Sequence, residues 1–134
     1  MTAIADYRLA PGATYPSPAK DIRDAIRFTL RSSDVDLKRS GADMNQVYVF
    51  GHSAGGAHVS TLFLNEDILT DQDRSLINGA IMMSGVYGSA IVPTLTKYYG
   101  ESPEEMDKTC PLGLLSNHSS KKVDSNFTRP LTKY

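Results

Sequence analysis

Residues 47–57, VYVFGHSAGGA, constrain what this chain can fold into more than any other stretch. VYVF is a continuous apolar run, the pattern of a strand buried on both faces. Residues 54–65 read as a helix whose first turns are nearly all small. Between them lies Gly51-His52-Ser53-Ala54-Gly55, a G-x-S-x-G sequence in a strand-to-helix context. A serine forced into so sharp a turn takes a strained backbone with positive φ and projects its hydroxyl from the sheet edge. Side chains two residues before and after it would collide, which predicts glycine at both 51 and 55. Gly56 and Ala57 let the helix start close to the strand. The helix N-terminus brings free N–H groups and a positive dipole end to Ser53, and the Ala54 N–H is placed to donate to an oxyanion. His52 and Gly55 are candidate lining of a substrate pocket. The blander alternative is a glycine-rich turn with an idle serine, or a phosphate-cradling loop. Neither G-x-x-x-x-G-K-[ST] nor G-x-G-x-x-G occurs.

The rest of the chain alternates strands and helices. TAIADY at the start reads as the end of a strand, and the proline-rich LAPGATYPSPAK as a loop. Ser17 before Pro18 has the form of an N-cap, and apolar residues at helical spacing predict a helix over 18–32. INGAIMMSG is a second apolar strand over 79–83, and Ser102 to Glu105 has capping-box spacing that opens a short helix. The order implies an α/β sheet with parallel strands and right-handed crossovers. It predicts that the first segment, 47–50 and 79–83 lie parallel and adjacent, with helices 18–32 and 54–65 on opposite faces.

Charge and composition exclude several classes. The net charge is −1, which gives no case for nucleic acid or an anionic membrane surface. No apolar run approaches the roughly 18 residues of a transmembrane segment. The first ten residues lack the basic start and apolar middle of a signal peptide. The single cysteine, Cys110, cannot form an internal disulfide and reads as a small buried apolar residue. The expected location is the cytoplasm, so the sequons at Asn117 and Asn126 read as chance matches. Residues 116–134 carry four basic groups and one acidic group with no apolar period, which reads as a polar, poorly ordered tail behind a domain over 1–115.

DYRLAP (residues 6–11), GHSAGG (51–56), MSGVYG (83–88) and SPEEMDKTCPLGLL (102–115) together resemble the hormone-sensitive-lipase-like carboxylesterase branch of the α/β-hydrolases. The resemblance spans residues 3 to about 115. It implies a partial α/β-hydrolase fold, a mostly parallel sheet flanked by helices, with the strand, nucleophile elbow and helix at 47–65. It also implies a serine hydrolase acting on carboxylic esters through an acyl-enzyme, with Ser53 as nucleophile and the Ala54 N–H in the oxyanion hole. A small-molecule ester is the implied partner, without a cofactor; the substrate and the oligomeric state stay open. DYRLAP is implied to be a structural signature, with Asp6 and Arg8 tying the loop down.

The family's HGGG-type oxyanion segment and the segments with its catalytic acid and histidine do not occur, so the chain reads as the central part of such a domain. The alternative is a catalytically inactive fragment, a relic that binds a ligand or partner. Three histidines are present. His52 adjoins Ser53, His58 lies at a poor helical phase for meeting it, and His118 with Asp107 has the chain order of an improvised triad. Their spacing has no metal-site pattern.

Overall fold

The computed structural model describes residues 1–37, 39–88 and 96–120. Its elements are α1 (Ser17–Arg31), β1 (Tyr48–His52), α2 (Ala54–Leu64), α3 (Asp71–Ser75), β2 (Gly79–Met83), α4 (Thr96–Tyr99), α5 (Pro103–Thr109) and α6 (Pro111–Ser120). β1 and β2 pair in parallel, Tyr48 opposite Gly79 through to His52 opposite Met83. Parallel strands need a crossover, and α2 with α3 supplies it. The fold class is therefore α/β, as the sequence implies.

The core forms where α1 and α2 meet. Ala19 and Ile22 of α1 are buried with Val59 and Leu62 of α2 and with Ile68 and Leu69 of the following loop; Val49 and Ala80 of the sheet pack against them. Both helices thus lie on one side of the sheet, which corrects the expectation of opposite faces. The other side is bare: Tyr48, Phe50, Ile81 and Met83 are 49–59% exposed. Among the described residues the strands are consequently covered on one face only. The apolar run in VYVF reflects the need for cover on both faces, not its presence among the described residues.

The expected first strand is also corrected. Residues 1–9 adopt no regular structure, and the sheet contains only β1 and β2 among the described residues. A trench of about 840 Å³ runs between residues 1–7 and the outer edge of β1, floored by Ile22, Ile26 and Val59. Strand pairing needs backbones about 4.8 Å apart, and the trench keeps them from it. Arg8 nonetheless anchors this segment to α1: its guanidinium binds Asp21 at 2.7 Å, and its N–H donates to the same carboxylate at 3.1 Å. Arg8 thus ties the loop down as expected, whereas Asp6, expected to share that role, makes no ion pair among the described residues.

α1 begins at Ser17 with Pro16 in the cap position, so Ser17 is the first helical residue and not the cap. The capping box at Ser102 and Glu105 forms in both directions. A second one joins Thr70 and Asp73 at α3. Asp73 is only 1% exposed; it binds Arg27 at 2.6 Å and Arg31 at 3.0 Å, fastening α3 to α1. The Arg27 guanidinium holds its carboxyl well below the usual range. A smaller cluster of Tyr98, Tyr99, Met106 and Cys110 packs around Tyr15, so Cys110 is a core residue. α6 extends to Ser120, so residues 116–120, read as the start of the tail, are helical. The rest of that tail, with Asn126, lies outside the described residues.

Candidate functional site

β1 ends at His52, Ser53 turns the chain, and α2 starts at the next residue. Ser53 has φ 55 and ψ −120, the positive φ that the sequence predicts. Its N–H donates to the Met83 carbonyl at 2.9 Å, the last rung joining the strands, and its carbonyl accepts from Ala57 at 3.2 Å. The turn is therefore held from both sides. Ser53 itself is exposed, and its hydroxyl has no hydrogen-bond partner among the described residues.

Sterics explain the glycines, with one correction. A Cβ on Gly51 would come within 2.6 Å of the Gly55 carbonyl carbon and 2.9 Å of the Gly56 nitrogen. Backbone cannot yield to that contact, so only glycine fits. Gly55, expected to be equally constrained, has room: a Cβ there reaches only the Tyr7 hydroxyl, at 4.0 Å. Gly56 is the tighter position: a Cβ there would lie 3.3 Å from the Gly51 and Met83 carbonyl oxygens and from the Gly85 Cα. The side chain at 51 points into the turn, whereas that at 55 leaves the helix on its open side.

The Ala54 N–H, first in α2, has no intrahelical acceptor and no other hydrogen bond among the described residues. An anion forming at Ser53 would meet this donor and the positive end of an 11-residue helix with no acidic residue in its first turn.

The histidines are placed apart from Ser53 in function. Strand alternation sends His52, which is exposed, to the bare face with Phe50. His58 lies about 7.5 Å along α2 and about 140° around it from Ser53. It is buried; its Nδ1 lies 3.1 Å from the Tyr98 hydroxyl, and the Tyr7 ring meets it edge-on at 4.9 Å. Burial lowers its pKa to about 4, so it is neutral near pH 7. Burial likewise pushes the Tyr98 phenol well up, so it stays a donor. His118 sits at the far end of α2, roughly 15 Å from Ser53. Its Nε2 bonds the Leu64 carbonyl, and its Nδ1 faces Glu66 at 3.4 Å. Its carboxylate partner is thus Glu66 and not Asp107, and the improvised triad does not form at the serine.

Two residues near the turn escape the sequence reading. Tyr7 reaches Gly55 and His58 from the N-terminal segment. Ser84, directly after β2, has φ 53. The signal for Ser84 is the Ser-Gly pair closing the second apolar run; for Tyr7 there is none, because its position depends on the path of a segment with no regular structure. Among the described residues, no group of three His, Cys, Asp or Glu could hold a metal ion, and no helix is long and apolar enough to cross a membrane.

In comparison with known families, the family model described as alpha/beta hydrolase fold matches residues 1–125. A comparison with curated proteins finds no match.

Proposed function

The chain belongs to the α/β-hydrolase fold family, and on that premise we propose that Ser53 is the nucleophile of a serine hydrolase acting on carboxylic esters, in the hormone-sensitive-lipase-like branch. The observation that carries this reading is the positive φ of an exposed serine between β1 and α2, held by a Gly51 that nothing larger can replace. In this reading the Ser53 hydroxyl attacks an acyl carbonyl, a histidine takes its proton, and water hydrolyses the acyl-enzyme. The Ala54 N–H donates to the oxyanion, where it acts most strongly because it is already oriented.

A second reading is favoured by one further observation. None of His52, His58 and His118 partners Ser53. Among the described residues the candidate nucleophile and its one candidate oxyanion donor have no base beside them, which supports a fragment with very low turnover or a ligand-binding role. Losing a triad member leaves about 10³–10⁴-fold over water only where the oxyanion hole and substrate binding survive, and one lost oxyanion donor costs about 10²–10³.

Labelling of the purified chain with a fluorophosphonate, read by intact mass and peptide mapping, separates the readings. Slow labelling confined to Ser53 and abolished by Ser53→Ala is expected. Stoichiometric labelling within minutes would reveal an overlooked base and favour the active enzyme. Labelling elsewhere, unchanged in Ser53→Ala, would remove Ser53 from the role.

A further inference from the structure

We propose that Ser84 is a second substrate-binding hydroxyl, one strand over from Ser53, that holds an oxygen or nitrogen on the carbon next to the carbonyl that Ser53 attacks. The inference rests on the reading of Ser53 as nucleophile and extends it to the acyl group.

The register places the two serines together. His52 pairs with Met83, so the next residues of the two strands are Ser53 and Ser84. Neighbouring strands lie about 4.8 Å apart. The hydrogen bond from Ser53 N–H to the Met83 carbonyl, 2.9 Å, keeps that spacing to the very end of the ladder.

Backbone conformation singles out the same pair. Among the described residues, Ser53 and Ser84 are the only non-glycine residues with positive φ, at 55 and 53. Such a conformation is costly for a side-chain-bearing residue and free for glycine. Ser84 is exposed, and its hydroxyl makes no hydrogen bond with the described residues. Among the described residues its side chain therefore makes no bond that would offset the strain. Strained residues of this kind gather at functional sites, and ligands of parallel sheets bind beyond the carboxyl ends of the strands.

The loop that carries Ser84 is fixed in place. The Gly85 N–H donates to the Tyr87 hydroxyl at 3.1 Å, and the Tyr87 ring leaves no room for a side chain at 85. Gly56, in the first turn of α2, lies against the Gly85 Cα and the Met83 carbonyl. The Ser84 backbone is thus held beside the Ser53 turn by these two contacts. Given the strand spacing and a hydrogen bond of about 2.8 Å, the held atom falls about two bonds from the attacked carbon. The substrate class is esters of 2-hydroxy, 2-keto or 2-amino acids, as against plain alkyl acyl groups.

The test uses the acid products, so it does not depend on turnover. The full chain is titrated with 2-hydroxybutyrate and with butyrate, and binding is followed by amide chemical shifts. The hydroxy acid should bind about tenfold more tightly, because the hydrogen bond to the Ser84 hydroxyl is lost with butyrate. Ser84→Ala should abolish that preference. Ser84→Gly should abolish it too and raise Tm by about 2–5 °C, since the strain is relieved. Ser53→Ala should retain the preference. Equal binding of the two acids, no binding of either, or a preference that survives Ser84→Ala overturns the proposal. So does a lower Tm in both Ser84 variants, which would assign the hydroxyl to the fold. If Ser53 fails to label while a Ser84-dependent preference persists, the nucleophile reading alone falls.

Discussion

The two faces of the sheet carry similar side chains and have different fates. On one, Val49, Gly51 and Ala80 are covered by α2, and Val59 and Leu62 are 2% and 0% exposed beneath them. On the other, Tyr48, Phe50, Ile81 and Met83 stay about half exposed. Both sets come from the same apolar runs, because strand residues alternate between faces. The covered face is also the one that builds the Ser53 turn, since Gly51 points toward α2 and Gly56 receives the strand ends. Rigidity is therefore concentrated behind the candidate nucleophile, while the opposite face contributes area but little stability.

The largest effect should come from Gly51→Ala. Its Cβ meets backbone at Gly55 and Gly56, so the turn must open. A loss of about 4 kcal/mol, or failure to fold, is expected in urea unfolding, whereas Gly55→Ala should stay within about 0.5 kcal/mol. Equal losses at the two positions would break the steric account of the turn.

Leu62→Ala comes next. Leu62 is fully buried on the covered side, and the substitution should cost about 3 kcal/mol. A loss under about 1 kcal/mol would mean that α2 is not the true cover of the sheet.

A pH titration probes the same helix through His58. Its folded pKa, about 4, lies below the ordinary 6.5. The unfolded chain therefore takes the proton first. His58 leaves stability undiminished above pH 6.5, and destabilises progressively as pH falls from there toward 4. Urea midpoints should decline across that window, and His58→Gln should flatten the decline. A slope unchanged by the substitution would place the imidazole outside the packed side, against its contacts with Tyr7 and Tyr98.

The smallest effect belongs to the bare face. Phe50→Ser should change stability by no more than about 0.5 kcal/mol, because the ring is already 59% exposed. Light scattering should show less self-association, since an open apolar patch has been reduced. A loss near that of Leu62→Ala would show that this face is covered in solution.

How much of this was legible in the chain follows from distance along it. The turn at Ser53, the need for glycine at 51, the helix expected over 54–65 and the capping box at Ser102 were readable, because each is decided by sterics or hydrogen bonds within about five residues. Gly55 was over-read, because the collision depends on which way a helix side chain points. The first strand was over-read as well, because pairing needs an edge brought to it from elsewhere.

What the sequence by itself determined is local: where the chain must turn, which residue is lifted at that turn, and which runs must find apolar cover. Only the tertiary structure decided that α1 and α2 share one side, that a trench separates residues 1–7 from β1, that His118 lies at the wrong end of α2 to serve Ser53, and that Ser84 stands beside it. The reason is physical. Burial and pairing are satisfied by whichever distant segments the chain path delivers, and an apolar pattern states the demand without naming the supplier.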